Sequence, residues 1–411
     1  MSVKVLTGLE RIANGDPAAV QAVRGRRIGL VAHPASVTST FVHAKDVLVA
    51  AGANVRVLFG PEHGYGGEAQ DMIGVTEAID ASTGAPIRSL YGATEAELSP
   101  KPEWLEGLDA IVVDLQDVGA RYYTFVWTAV LVMRVAAKCG VETLVLDRPN
   151  PLGGVVVEGA LQRPGYRSFV GLCDVPVRHA LTIGEICKMV ASDEALPEKC
   201  LRVIPMVGWR RDMLWRDTGL PWVAPSPNMP TPDTTLVYPG GCLLEGTNLS
   251  EGRGTTRPFE LFGAPFVDGW KLAASVSAKG AVLRPTTFQP TFHKHAPKIC
   301  GGMQVHVTQP HEFRSYALYL DLLAAIRAAA PNEFAWRTEV YEYVSDRPAI
   351  DLLTGGPEYR LAVDAGASLQ DLHARDEAGA LLFRDSVVKR VSLYEFRPSA
   401  ASREGSATAL T

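Results

Sequence analysis

A glutamate and a histidine stand side by side in the glycine-rich segment LFGPEHGYGG, Leu58–Gly67. This segment overlaps the end of an apolar, β-branched run, Asn54–Phe59, which predicts a β-strand. Glu62 and His63 would then lie at the carboxyl end of that strand, where α/β sheets bind ligands. A carboxylate in such a place can act as a general acid if burial raises its pKa. The structural alternative is a glutamate that caps a helix beside a solvated histidine.

A second polar cluster follows the strongly apolar run DAIVVD, Asp109–Asp114. The segment DLQDVGARYYTF places two carboxylates, an arginine and two tyrosines within a few residues, which suits a polyhydroxylated or carboxylated ligand. The alternative is internal pairing of Asp117 with Arg121 and capping of the next helix by an aspartate. The side chains concerned are Asp114, Asp117, Arg121, Tyr122 and Tyr123.

Two further loops carry polar groups between prolines and glycines. LDRPNPLGG, Leu146–Gly154, follows another predicted strand, and its two prolines would fix the direction of Asn150. A structural turn with an Asp–Arg pair is the equally good alternative for this loop. Later, PSPNMPT contains Asn228, and LLEGTNLSEGRGTTRPFE contains Glu245, Asn248, Glu251 and Arg253. This last loop could face the strand-end loops across a cleft, or it could be a solvated loop with a Glu251–Arg253 pair.

The sequence shows little evidence of a metal site or a nucleotide-binding motif. His293 and His295 in FHKH are only two potential ligands, and a surface strand explains them better than a metal site. The glycines after Glu62 do not form GxGxxG, and the GxSxG, P-loop and HExxH patterns are absent. We therefore expect no metal and no cofactor.

The elements that must position these loops alternate along the first half of the chain. Apolar strands separated by helices predict a parallel sheet with both faces covered, that is, a Rossmann-like α/β domain. The predicted strands are Arg27–Val31, Asn54–Phe59, Ile87–Leu90, Asp109–Asp114 and Thr143–Leu146, and the predicted helices here are His43–Ala51 and Tyr122–Cys139. The second half mixes helices with a strand, which predicts a smaller α+β domain; these elements are Asp268–Lys279, Gly302–Thr308 and Glu312–Ala330.

The domain boundary is predicted in a proline-rich segment, Pro221–Thr234, which has five prolines in fourteen residues. Proline rarely occurs inside helices or central strands, so this segment is expected to cross between domains without regular structure. The prediction is a Rossmann-like domain over residues 1–228 that carries the catalytic loops, and a smaller domain over residues 229–411 that closes the cleft.

Composition excludes several classes of protein. The chain has 411 residues, with 40 Lys+Arg against 45 Asp+Glu and a net charge of −5, so a nucleic-acid or anionic-membrane binder is not indicated. The first residues lack the apolar core of a signal peptide, and no apolar run is long enough to span a membrane. Six scattered cysteines without a CxxC pair fit reduced thiols. A cytoplasmic protein with a small-molecule substrate is expected.

The strings FGPEHGYGG, DLQDVGARYYTF, DRPNPLGG, PSPNMPT and LLEGTNLSEGRGT, in this order, resemble the exo-β-N-acetylmuramidase family (NamZ-type). The resemblance runs from about Leu6 to Phe396. It implies a glycoside hydrolase of peptidoglycan recycling that removes terminal N-acetylmuramic acid from the non-reducing end of cell-wall fragments. It also implies a cleft between a Rossmann-like domain and a smaller domain, with Glu62 at the position of the family's proposed catalytic glutamate. Many members are exported, so the expected cytoplasmic location is a departure and suggests turnover of imported fragments.

Glycoside hydrolysis usually needs two carboxylates. Glu62 is the expected general acid and Asp117 the expected partner, with Asp114 and Glu245 in reserve; a substrate-assisted route through the acetamide would need no second nucleophile and stays open. Arg121 or Arg253 could pair with the lactyl carboxylate of muramic acid. The side chains expected to bind the substrate are His63, Tyr65, Asp114, Arg121, Tyr122, Asn150, Asn228, Glu245, Asn248, Glu251 and Arg253.

Two other functions fit the same features less well. One is another exo-acting hexosaminidase, such as an N-acetylglucosaminidase, whose substrate lacks the lactyl group. The other is a non-catalytic two-domain sugar-binding protein, which would bind tightly without turnover. A pair of glycosides that differ only in the lactyl group separates these possibilities.

Overall fold

The computed structural model describes residues 4–67 and 78–395. These residues form an α/β protein with a large, mostly parallel sheet in the N-terminal part and a small antiparallel sheet in the C-terminal part. The predicted class, a Rossmann-like domain followed by a smaller α+β domain, is confirmed. One hydrophobic cluster includes residues of both parts, for example Phe59 and Ile111 from the first and Phe262 and Leu320 from the second.

The large sheet has the strand order β3-β4-β2-β1-β5-β6-β7. Neighbouring strands are parallel except β3 and β4. The strands are β1 (Arg27–Ala32), β2 (Asn54–Gly60), β3 (Ala78–Ile79), β4 (Pro86–Ser89), β5 (Ala110–Asp114), β6 (Glu142–Leu146) and β7 (Leu201–Ile204). Every residue of β5 is buried, as expected for a central parallel strand covered on both faces. After β1, the chain adds β2, β3 and β4 on one side of β1, and then β5, β6 and β7 on the other side. β1 and β5 therefore flank the point where ligand sites of such sheets form.

The helices cover this sheet and build most of the second part. The α-helices are α1 (Gly8–Ala13), α2 (Pro17–Gln21), α3 (Ala44–Ala50), α4 (Phe125–Lys138), α5 (Ile183–Asp193), α6 (Pro232–Gly241), α7 (Gly269–Ser275), α8 (Ser315–Ala329), α9 (Ala349–Thr354), α10 (Glu358–Asp364), α11 (Gln370–Phe383) and α12 (Lys389–Val391). A π-helical turn, Arg384–Val388, joins the last two. Short 3₁₀ turns are Glu95–Leu98, Pro102–Leu105, Glu198–Cys200, Trp215–Asp217 and Cys242–Gly246.

The small sheet has the order β8-β10-β9, with both pairs antiparallel. Its strands are β8 (Leu261–Ala264), β9 (Ala281–Phe288) and β10 (Cys300–Val307). The helices and strands predicted for the two halves of the chain exist, with ends shifted by a few residues. Helix α4, for instance, ends where Gly140 takes a left-handed conformation with φ of 70°, which suits glycine after a helix. The surface strand predicted at His293 and His295 is wrong, because these residues lie in a turn with φ of 69° and 63°.

One part of the proline segment differs from its prediction. Helix α6 begins at Pro232, inside the range predicted to be irregular. Proline fits the first helical position because its missing N–H has no intrahelical partner there, and Thr231 caps the helix by accepting a hydrogen bond from the Thr234 N–H. The boundary predicted at residues 228/229 stays a prediction.

The end of the described chain packs back on the first domain. The Tyr394 hydroxyl donates to Asp147 Oδ2 over 2.5 Å, and the Leu393 N–H donates to Glu185 Oε1 over 2.8 Å. Arg211 Nε donates to Ser392 Oγ over 3.1 Å. The C-terminal residues therefore fix the second domain to the loop after β6 and to helix α5.

This attachment predicts a dependence of stability on pH. Burial raises the pKa of Asp147 to about 6, although hydrogen bonds from Tyr394 and Thr182 oppose the rise. The folded state then holds the proton more tightly than the unfolded chain, whose pKa is about 3.9. The resulting stabilisation is complete below about pH 4 and is lost as the pH rises through 6, and it is worth about 3 kcal/mol over that window.

We expect Asp147→Asn to remove this dependence. As the pH rises from 4 to 7, the wild-type free energy of unfolding should fall by about 2–3 kcal/mol relative to that of the variant. Urea unfolding at a series of pH values measures the difference. A constant offset between the two proteins at all pH values would contradict the prediction.

Candidate active site

The loop after β2 buries Glu62 at the carboxyl end of the large sheet. The turn is tight, since a Cβ on Gly60 would lie 2.3 Å from the Tyr65 backbone nitrogen. Glu62 is 6% exposed, and its Oε2 accepts a hydrogen bond from Thr124 Oγ1 over 2.7 Å. Thr124 directly precedes α4, so the start of that helix fixes the carboxylate. His63 has a left-handed backbone with φ of 70°, which is uncommon for a residue other than glycine.

A narrow pocket opens beside Glu62 and is lined by both parts of the chain. Of the predicted site residues, it brings together Glu62, His63, Tyr122, Asn228, Glu245 and Arg253. The other lining residues are Tyr123, Thr124, Val170, Ser226, Met229, Tyr238, Phe259, Tyr341 and Glu342. Aromatic faces, carboxylates and one arginine in a concave site suit a sugar that carries a negative charge.

The arginine of the pocket is held by two glutamates. Arg253 Nη2 donates to Glu245 Oε1 over 2.7 Å, and Arg253 Nε forms an ion pair with Glu251 Oε1 at 3.1 Å. Glu251 is fully buried, and Lys294 and His293 also pair with it at 3.0 Å. Burial opposes ionisation, but contacts with Lys294, His293 and Arg253 hold the pKa of Glu251 well below its usual range. Glu251 therefore orients Arg253, which lines the pocket, but does not line it itself.

Asp117, the predicted partner of Glu62, does not line the pocket. Its Oδ2 accepts the Gly119 N–H over 2.8 Å and lies 3.5 Å from His179 Nε2. The carboxylate is buried and closes its own turn, so the geometry gives it a structural role. The alternative pairing with Arg121 does not occur either, since Arg121 donates to backbone carbonyls of Ala160 and other residues.

Asp114 and Arg121 were predicted to bind the substrate, but neither lines the pocket. Asp114 is fully buried and bound by both arms of Arg148, with Nε to Oδ1 at 2.5 Å and Nη2 to Oδ2 at 2.8 Å. Arg121 is also fully buried and donates to the carbonyl oxygens of Ala160, Val175 and Leu353. Both side chains stabilise the interior and lie outside the pocket lining.

Three more predicted residues lie outside the lining. Tyr65 packs its ring edge-on against His43, with centroids 5.6 Å apart. Asn150 fixes its own turn: Nδ2 donates to Leu181 O over 3.0 Å and Oδ1 accepts the Leu152 N–H over 2.9 Å. Asn248 Nδ2 donates to Glu333 O over 2.7 Å, and its Oδ1 accepts the Ala335 N–H over 3.0 Å. The structural alternative for Leu146–Gly154 is therefore favoured over ligand binding.

Sequence reasoning missed Tyr341 and Glu342, which approach the pocket from the C-terminal part. Tyr341 donates to Glu245 Oε2 over 2.8 Å, and Tyr91 donates to Glu342 Oε2 over 3.3 Å. The string YEYVSD has no adjacent strand and no glycine, so the strand-end rule could not find it. The only signal was a glutamate between two tyrosines.

Neither a metal cluster nor a membrane helix is found in the part of the chain described. Within residues 4–67 and 78–395, no group of three or more His, Cys, Asp and Glu side chains is placed to hold a metal ion. His293 pairs with Glu251, and His295 Nε2 lies 2.6 Å from the Asn248 carbonyl oxygen. In the same residues no helix has the length and apolarity to cross a bilayer. All six cysteines are free.

Comparisons with known proteins cover almost the whole chain. Residues 28–233 match the family model of the N-terminal domain of exo-beta-N-acetylmuramidase NamZ, and residues 236–394 match that of its C-terminal domain. The peptidoglycan beta-N-acetylmuramidase NamZ of Bacillus subtilis (strain 168) is 39% identical over 373 residues, which are 90% of this chain and 86% of the relative.

Two solved structures have the same fold. Both are crystal structures of DUF1343 family proteins from Bacteroides fragilis NCTC 9343. The first superposes with a TM-score of 0.83 at 30% identity, and the second with 0.70 at 28% identity. Each comparison covers 96% of this chain and 100% of the solved chain.

Proposed function

Because the chain belongs to the exo-beta-N-acetylmuramidase NamZ family, we propose that it releases terminal N-acetylmuramic acid from the non-reducing end of peptidoglycan fragments. The family resemblance predicted from the motifs is confirmed, and the protein is a glycoside hydrolase. The observation in the molecule that best supports this reaction is the buried Glu62 at a strand end, facing a pocket that also contains Arg253.

Glu62 would act as the general acid. Cleavage leaves negative charge on the glycosidic oxygen, and a proton delivered from Glu62 would neutralise it as the bond breaks. The hydrogen bond from Thr124 Oγ1 to Oε2 would orient the carboxyl group for this transfer.

Arg253 would bind the lactyl carboxylate that distinguishes muramic acid from glucosamine. A planar guanidinium suits a carboxylate, and this one is already oriented by Glu245 and Glu251. Arg121, the other arginine considered, is enclosed by backbone carbonyls. Glu245 and Glu251 thus serve to position Arg253 in this proposal.

The proposal is tested with the 4-nitrophenyl β-glycosides of N-acetylmuramic acid and N-acetylglucosamine. The wild-type protein should release 4-nitrophenol from the muramic acid glycoside with a much higher kcat/KM than from the other. Arg253→Lys keeps the positive charge but loses the planar guanidinium that can donate two parallel hydrogen bonds to a carboxylate. In this variant the preference should fall by about 10-fold or more.

Three results would contradict this assignment. Equal hydrolysis of both glycosides would indicate a general hexosaminidase. Tight binding of muramic acid without turnover would indicate a sugar-binding protein. An unchanged preference in Arg253→Lys would remove Arg253 from lactyl recognition.

Hydrolysis of the peptidoglycan-derived substrate needs only protein side chains and water in this scheme. Each step uses side chains of the pocket, and we propose no metal or organic cofactor. The predicted cytoplasmic location and turnover of imported fragments stay predictions.

A further inference from the structure

Besides Glu62 and Glu245, a third glutamate, Glu342, lines the pocket. Glu342 lies in the loop between α8 and α9 and is 6% exposed, the same value as Glu62. Both carboxylates belong to the lining of one pocket. The site therefore receives Glu62 from the first part of the chain, and Glu245 and Glu342 from the second.

A tyrosine hydroxyl is bound by Glu342 and is also affected by the charge of Glu62. Tyr91 Oη donates to Glu342 Oε2 over 3.3 Å. Burial, then the negative charge of Glu62 and that of Glu342, raise the pKa of Tyr91 well above its usual range. The same two charges act on Tyr343, where burial is the largest cause and raises the pKa to about 12. Both carboxylates thus lie close enough to affect the same hydroxyl groups.

The backbone at Glu342 is held in an unfavourable conformation. Glu342 and Tyr343 have φ of 45° and 67°, so two consecutive residues other than glycine are left-handed. His63, next to Glu62, has φ of 70°. Such conformations are unfavourable and persist where the surroundings enforce them, often at catalytic sites. The Tyr343 hydroxyl donates to Gly92 O over 2.9 Å and helps to enforce the turn.

The other carboxylates considered have different tasks. Glu245 lines the pocket but is bound by Arg253 at 2.7 Å and by Tyr341 at 2.8 Å, so its charge is used to hold the arginine. Asp117 accepts the Gly119 N–H and lies outside the lining. Glu342 lines the pocket and accepts a hydrogen bond from the Tyr91 hydroxyl.

We infer that Glu342 is the second catalytic carboxylate, a role that rests on the proposed glycosidase reaction. As Glu62 gives its proton to the leaving oxygen, the C1–O bond breaks and its electron pair stays with that oxygen. Glu342 then acts in one of two ways. As a base, it takes a proton from the water whose oxygen bonds to C1. As a nucleophile, it bonds to C1 itself, and water later breaks that ester bond after losing a proton to Glu62.

The test compares Glu342→Gln with wild type on the 4-nitrophenyl muramic acid glycoside. Glutamine keeps an oxygen that can accept from Tyr91 but removes the negative charge. We expect kcat to fall about 100-fold or more, with KM changed only a few-fold. Glu339→Gln is the matched control, because Glu339 lies in the same loop with its side chain 77% exposed, and it should keep wild-type kcat.

Azide provides a readout that a structural role would not change. In Glu342→Ala, azide should restore turnover by attacking C1 directly, and the product should be the α-glycosyl azide. Wild-type kcat in Glu342→Gln, a loss confined to KM, or no rescue of a folded Glu342→Ala would overturn the assignment. Lack of activity in the wild-type protein would instead overturn the proposed function, so the two failures are distinguishable.

Discussion

Replacement of Glu62 with glutamine should remove most hydrolysis of a muramic acid disaccharide, with a loss in kcat of about 1,000-fold. Glutamine has nearly the same shape and still accepts from Thr124, so the fold should be kept. The loss should be smaller with 4-nitrophenol as the leaving group, because nitrophenolate leaves without a proton. Parallel kinetics on the two substrates measure this difference, which identifies a general acid rather than a binding residue.

Two controls make the Glu62 result specific. Glu106→Gln changes an exposed glutamate of the same domain and should have no effect. Thr124→Val removes the hydrogen bond to Glu62 Oε2, and it should give an intermediate loss because the acid remains but is less well oriented. An equal loss on both leaving groups in Glu62→Gln would speak against proton donation by this residue.

Arg148→Met should destabilise the protein by about 3–5 kcal/mol, because it leaves the Asp114 carboxylate buried without its partner. The side chains of Arg148 and Asp114 are 5% and 0% exposed. Arg27 and Asp109 form a comparable pair at the opposite end of β1 and β5, at 2.8 Å, but they are 52% and 37% exposed. Arg27→Met should therefore cost only about 0–1 kcal/mol. Denaturant unfolding of both variants measures the contrast.

The same variant separates a structural from a substrate-binding role for Asp114. Under conditions in which Arg148→Met is still folded, its KM should equal that of wild type, since neither residue lines the pocket. Stability like that of Arg27→Met, together with a raised KM, would restore Asp114 to the substrate site.

The strand-end rule explains which parts of the site could be predicted. Glu62 follows an apolar strand directly, and that position is visible in sequence. The same rule also selected Asp114. It could not show that Arg148, which follows the neighbouring strand β6, pairs with that carboxylate. Burial of both groups in an ion pair depends on the order of strands in the sheet, which the chain does not display locally.

Other residues depended on contacts between distant segments. Arg121 was selected for its charge, but three carbonyls from three segments enclose it, one of them at Leu353. Glu342 was missed because it acts from an irregular loop whose conformation is imposed by Tyr91 and Gly92, about 250 positions earlier in the chain. Residue type and local spacing carry no information on such pairings.

The return of Ser392–Tyr394 to the first domain has a mechanical consequence. The second domain is joined to the first covalently before α6 and again by hydrogen bonds to Asp147 and Glu185. Contacts of the shared core, such as that of Arg121 with the Leu353 carbonyl oxygen, lie between these two attachments. A movement that separated Glu62 from Glu342 would have to break these contacts together, so they oppose any change in the distance between the two carboxylates.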